Sequence, residues 1–183
     1  MKRRSRSLPP AGLSWTAWRP LYQPHAGHSL RLIHETGLPR GATIIDVGGG
    51  ASTFVDDLLD NGYQHVTVLD LSEAALVASR ARLGERASGV SWLTGDITKV
   101  ELPRHAYDVW HDRAVFHFLT TREEREAYVN AVLRAVKPGG HVIVATFAED
   151  GPVKCSGLET VRYAPHVLQR ELGTGFILLA QEK

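Results

Sequence analysis

In "ATIIDVGGGASTFVDDLL", residues 42–59, an apolar run ends in an acid, Asp46, and three consecutive glycines follow, Gly48, Gly49 and Gly50. Glycines let a backbone bend tightly and let a ligand approach without meeting a Cβ. A helix beginning near Ser52 turns unpaired N–H groups and a positive dipole end toward a carboxylate or phosphate. "DVGGGAS" is therefore expected to form a nucleotide-type cradle. The plain alternative is a tight turn, although three glycines exceed what a turn requires. Two histidines, His111 and His117, lie further along. Imidazole is apt for proton transfer, but His117 stands in "AVFHFL", where a hydrogen-bonded core histidine is the alternative. No third ligand joins them convincingly, so no metal is expected.

These residues need a scaffold, and the punctuation of the chain describes one. "TIIDVG", "HVTVLD", "VSWLTGD", "YDVWHD", "HVIVATF" and "GFILLAQ" read as strands. Between them, "STFVDDLLDNG", "SEAALVASRARLG", "REEREAYVNAVLRAV" and "APHVLQREL" have helical spacing. Ser72 is placed to cap the second of these helices, with Gly84 at its end. Thr121 and Glu124 have capping-box spacing at the head of the third, which Pro138-Gly139-Gly140 ends. Alternating strands and helices demand right-handed crossovers and a mostly parallel sheet covered on both faces. The expected fold is a doubly wound α/β domain with six readable strands. In such a sheet ligands sit beyond the carboxyl ends of the strands, where the first strand-to-helix loop lies.

Two common fingerprints fit poorly. A dinucleotide G-x-G-x-x-G starting at Gly48 would need glycine where Thr53 stands, and no Gly-Lys-Ser/Thr of a P-loop follows. "DVGGGAS", "VTVLDLS", "TGDIT", "YDVWHDRAVFHFL" and "VKPGG", in that order over about Ile44 to Phe147, instead resemble the motifs of class I S-adenosylmethionine-dependent methyltransferases. "WHDRAVFHFLT" with "GPVKCSGLETVRY" further resembles a bacterial group within that superfamily. The resemblance implies a Rossmann-like fold, S-adenosylmethionine as cofactor, and methyl transfer to a small molecule or a protein side chain.

It also implies roles. Asp46, Gly48, Gly49 and Gly50 would receive the methionine portion of the cofactor, Asp46 acting near its amino group; Ser52 replaces the third glycine of the usual pattern. Asp70, followed by Leu71, would accept the ribose hydroxyls. Asp96 would read the adenine amino group, with Ile97 against the ring and an Asx turn as the alternative for Asp96. His111, Asp112 and Arg113 would meet cofactor or acceptor, unless Asp112 and Arg113 pair with each other. His111, Asp112, Arg113 and His117 are the catalytic candidates. Cys155-Ser156 would lie on an acceptor wall or in a plain surface loop. Trp15, Trp18 and Tyr22 would form an acceptor lid or simple packing. The usual seventh strand of the superfamily has no counterpart after "GFILLAQEK", and an unprotected sheet edge favours association, which admits a homodimer.

Composition sets the outer bounds. The 183 residues, 43% hydrophobic and 22% charged, suit one globular domain. We divide the chain into a flexible basic tail (1–12), a cap segment (13–40) and the cofactor-binding domain (41–183). A net charge of +1 argues against a general nucleic-acid surface. The basic residues before Glu35 leave a weak RNA contact or organelle targeting as alternatives. One cysteine, Cys155, excludes an internal disulfide framework and fits a reducing cytoplasm, and no apolar run is long enough to span a membrane. The competing functions are a nucleotide-linked oxidoreductase and a non-catalytic cofactor-binding or scaffold domain.

Overall fold

The computed structural model describes residues 25–182, so Trp15, Trp18, Tyr22 and the basic tail lie outside the described residues. The first element is a helix that the sequence patterning did not announce, α1 (Gly27–Glu35). Strand β1 (Thr43–Val47) follows, then α2 (Phe54–Asp60), β2 (His65–Asp70), α3 (Glu73–Leu83), β3 (Val90–Thr94), β4 (Tyr107–Arg113), α4 (Arg122–Ala135) and β5 (Val136–Ala145). A small hairpin, β6 (Lys154–Cys155) with β7 (Leu158–Glu159), precedes α5 (Pro165–Leu172). The expected caps are present. Ser72 accepts from the Ala75 N–H, and Thr121 and Glu124 make a reciprocal capping box.

Five strands form one sheet in the order β3-β2-β1-β4-β5. Every pairing in it is parallel. The chain builds outward from β1 to β3 on one side, then crosses to β4 and β5 on the other. Strand order therefore reverses between β1 and β4, and the crevice of this doubly wound sheet opens at their carboxyl ends. Strand alternation assigns each residue a face. Ile44, Val66, Val68 and Val109 pack toward Ile33, Phe54, Leu58 and Leu76. Ile45, Val47, Leu69 and Trp110 pack toward Tyr128, Val132 and Tyr163.

The sixth strand expected at "GFILLAQ" does not form. After α5, Gly173 turns the chain with φ +86°, and residues 176–182 carry no regular structure. Phe176 packs against the core, while Ile177 and Leu179 stay exposed. The end of this segment is held at α1 instead, where Glu182 pairs with Arg31 and lies 3.4 Å from His28. Near β5 the chain is met by its own return loop: Tyr163 N–H donates to the Phe147 carbonyl at 2.8 Å. A five-residue apolar run looks the same whether or not a neighbour strand is free to pair with it.

On the α4 face a buried chain of polar groups runs through the core. Trp110 Nε1–H donates to Tyr128 Oη at 2.8 Å, and Tyr128 O–H donates to Asp112 Oδ2 at 2.7 Å. Tyr128→Phe removes the middle link and leaves both ends short of a partner, so a loss of about 1–3 kcal/mol is expected in urea denaturation. A change under about 0.5 kcal/mol, within the range of a neutral substitution, would show that this chain of bonds contributes nothing.

Candidate active site

The glycine turn sits where β1 ends, at the reversal of strand order. Gly48 has φ +74°, and a Cβ there would lie 2.1 Å from Val115 Cγ2 of the loop after β4. Gly50 has φ +44°, and a Cβ there would lie 2.8 Å from Asp70 Oδ2 at the end of β2. The glycines are thus required by the protein's own side chains, before any ligand is considered. Three successive carbonyls of the turn are held from α3. Ser79 Oγ donates to the Gly50 carbonyl at 2.7 Å, and Arg82 donates to those of Ala51 and Ser52 at 3.0 and 2.7 Å. Ser52 does not act as the N-cap of α2. That position is Thr53, while Ser52 Oγ accepts from Phe54 N–H at 3.2 Å.

Two carboxylates flank the turn. Asp46 is 3% exposed. Burial is the largest influence on Asp70 and pushes its carboxyl above the ordinary range; the Asp46 charge pushes the same way, against N–H bonds from Ser72 and Gly50. Ser72 N–H donates to Asp70 Oδ1 at 2.7 Å. Two carboxylates on neighbouring strands, one buried and one partly so, favour a cation or a pair of donors beside them.

The residues ending β4 separate by alternation. His111 pairs in register with Asp46 and shares its face. Its Nδ1 lies 2.7 Å from Asp46 Oδ1, its Nε2 lies 2.8 Å from Ser29 Oγ, and its ring tilts against Phe54 at 4.3 Å. Asp112 points to the opposite face and does not pair with Arg113. It accepts from Val115 N–H at 2.7 Å, Phe116 N–H at 3.0 Å and the Tyr128 hydroxyl. Burial pushes its carboxyl up to about 6 against those three donors. Asp112 therefore anchors the loop that carries Val115 and His117. Arg113 reaches Ser52 Oγ at 3.4 Å instead.

His117 is 1% exposed and stacks on Phe147 at 4.6 Å with an 8° interplanar angle. Neither ring nitrogen has a hydrogen-bond partner among the described residues, which corrects the expectation of a hydrogen-bonded core histidine. Burial pushes its pKa down to about 4. The imidazole is neutral at physiological pH and too weak a base to hold a proton there.

Asp96 Oδ1 accepts from Thr98 N–H and Oγ1–H at 2.9 and 2.7 Å, and Oδ2 meets Lys99 Nζ at 2.8 Å. This is the Asx turn, with Lys99 closing the second oxygen. The Ile97 side chain is buried in the α4-side core, whereas Leu71, just past β2, is 61% exposed. Cys155 is buried in β6.

A doubly wound sheet with a glycine turn between strand-end carboxylates defines a nucleotide-type binding domain. Residues 44–140 match the methyltransferase-domain family. The chain belongs to that family, within the class I S-adenosylmethionine-dependent methyltransferases. It is 32% identical over 112 residues to the ubiquinone/menaquinone biosynthesis C-methyltransferase UbiE of Roseobacter denitrificans, covering 60% of this chain and 44% of that protein. It is 26% identical to the eEF1A lysine and N-terminal methyltransferase of Mus musculus, covering 64% of this chain and 18% of that one. The chain thus spans less than half the length of these two relatives. Its fold resembles the S-adenosylmethionine dependent methyltransferase of Mesorhizobium loti, with a TM-score of 0.54 and 27% identity, covering 64% of this chain and 53% of that chain.

Residues that sequence reading passed over also build the site: Ser29, Ser79, Arg82 and Val115. Ser79 had a readable signal, a serine standing between Leu76 and Leu83 on the buried stripe of α3. Ser29 had none, because its partner is 82 residues away.

Two expected outcomes follow from this geometry. Gly48→Ala destabilises the fold by about 1–3 kcal/mol through strain alone, with the Val115 clash added. Val115→Ala recovers part of that loss in a double-mutant cycle, and strictly additive losses would show that the two residues do not press on each other. The second outcome concerns His117. Its unfolded imidazole titrates near 6.5 and its folded one near 4. Its stability contribution is therefore complete above about 6.5 and is lost as pH falls toward about 4, by at most about 3 kcal/mol. Asp112, raised from 3.8 to about 6, acts oppositely, contributing most below 3.8 and losing that contribution as pH rises to about 6. The difference in unfolding free energy between the natural chain and His117→Phe isolates the histidine. It shifts against the natural chain between about pH 7 and about pH 4.5, and a pH-independent difference would rule out the depressed pKa.

Proposed function

We propose that this chain transfers a methyl group from S-adenosylmethionine to a small molecule or a protein side chain. The observation that carries the proposal is the pair of carboxylates, Asp46 and Asp70, that reach the glycine turn from the neighbouring strands β1 and β2. The residues present fit the cofactor: a desolvated acid at the end of β1 suits an ammonium, and one at the end of β2 suits two ribose hydroxyls. Leu71, exposed beside Asp70, offers an apolar cover. Asp96 would meet the adenine amino group by releasing Lys99, whose side chain is 75% exposed. The buried Ile97 would support that wall from behind.

When bound, the cofactor supplies a methyl group on an already activated sulfonium. The protein's task is then alignment and exclusion of water. Asp46 and Asp70 orient the donor, and Gly48–Gly50 bring the backbone close. His117, neutral and buried against Phe147, backs the acceptor side of the site. Arg113, half-buried beside Ser52, lines the same rim. One relative is named for a small-molecule pathway and another for lysine and N-terminal methylation, which supports both acceptor classes.

Calorimetry with S-adenosylmethionine, S-adenosylhomocysteine and NAD tests the proposal. The first two should bind, and Asp70→Ala should weaken both by about 10- to 100-fold, the loss of one or two hydrogen bonds to a charge. Binding of NAD in preference, or of neither methionine-derived ligand to the folded chain, would falsify the assignment.

A further inference from the structure

We infer that Ser29 and His111 form a hydrogen-bonded relay that positions the Asp46 carboxylate for the ammonium group of the cofactor's methionine portion; the inference rests on the cofactor reading above. Ser29 Oγ, the His111 ring and Asp46 Oδ1 lie in line, with contacts of 2.8 and 2.7 Å. All three side chains are buried, at 7%, 1% and 3% exposure.

One proton arrangement that satisfies the chain has Asp46 ionised and a single hydrogen on the His111 ring. The carboxylate only accepts, so His111 Nδ1 carries the hydrogen. Nε2 is then an acceptor, and the Ser29 hydroxyl donates to it. The Phe54 ring at 4.3 Å holds the imidazole plane. Asp46 Oδ1 is thereby engaged, and Oδ2 is turned to the glycine turn, 2.5 Å from where a Cβ on Gly49 would stand. The acid–imidazole–hydroxyl order is that of an acyl-transfer triad. Here the hydroxyl is buried in the first turn of α1, so the chain of bonds holds the carboxylate and activates no nucleophile.

The charged groups around the ring are Asp46 from β1 with Asp70 behind it on β2, and Asp112 next to it on β4. From the helices come Ser29 of α1 and, on α2, Asp57, which is engaged by Ala26 N–H at 3.1 Å and His25 Nδ1 at 2.7 Å. Asp57 pins the start of α1 independently of Ser29, so loss of the serine hydroxyl leaves α1 docked.

The test compares two ligands that differ in the methionine portion. S-adenosylhomocysteine carries the ammonium, whereas 5′-methylthioadenosine has the same nucleoside without it. Calorimetric titration of the full chain, Ser29→Ala and Ser29→Thr should show S-adenosylhomocysteine binding about 10-fold weaker in Ser29→Ala, about one hydrogen bond's worth. The thermal midpoint should fall, because a buried ring nitrogen loses its partner, but affinity for methylthioadenosine should be unchanged, and Ser29→Thr, which keeps the hydroxyl, should restore tight binding. Imidazole nitrogen chemical shifts should report a single tautomer in the natural chain and a mixture in Ser29→Ala. Equal weakening of both ligands would mean that Ser29 is merely structural, and no weakening of either would mean that the relay is idle. If the natural chain binds both ligands equally well, Asp46 meets no ammonium and the relay is overturned while the cofactor reading stands. If it binds neither, the cofactor reading fails and the relay with it.

Discussion

Two carboxylates that reach one glycine turn from neighbouring strands are the constraint around which this protein is arranged. Asp46 and Asp70 are both largely removed from water, and the Asp46 charge adds to burial in raising the cost of ionising Asp70. Such a pair persists only where the surroundings supply donors and hold the groups apart. Asp70 takes the Ser72 N–H, and Asp46 takes His111 Nδ1. The turn between them has its carbonyls drawn outward by Ser79 and Arg82. What remains facing inward is acidic oxygen and backbone, a surface suited to a cationic, hydroxyl-bearing ligand.

The two faces of the sheet divide the work of holding this arrangement. On one, α1, α2 and α3 reach the turn and the Asp46–His111 pair. On the other, Asp112 draws in two backbone N–H groups and the Tyr128 hydroxyl, and so fixes the path of the loop that carries Val115 and His117. That loop places Val115 where a side chain on Gly48 would have to stand, so the buried polar chain of the α4 face reaches the glycine turn. Three consecutive residues of β4 thus hold a carboxylate, anchor a loop and face the rim, because successive side chains on a strand alternate between faces.

The far side of the site is built by segments distant in sequence. Val161 N–H donates to the His117 carbonyl at 2.8 Å, and Phe116 and Tyr163 rings meet at 5.5 Å. "AVFHFL" and "GPVKCSGLETVRY", paired above only as a resemblance, are therefore neighbours in space. The return loop that brings them together also crosses the end of β5, while the apolar "FILLA" run remains outside the sheet.

Strand-helix alternation, the caps at Ser72 and Thr121 and the glycines after β1 were all legible, because each depends on local spacing or on a few neighbouring residues. Asp46 and Asp70 were legible as strand-end acids, for in an open parallel sheet those positions lie at the crevice. The pairing of His111 with Asp46 and Ser29 was decided only by tertiary structure, since it brings together β1, β4 and α1 across 65 and 82 residues. So were the role of Asp112 as a loop anchor and, among the described residues, the lack of a hydrogen-bond partner for the His117 nitrogens, where the available donors decide what a carboxylate or imidazole does. Periodicity assigns a residue to a face of its own element; what waits on that face depends on the packing of the other elements.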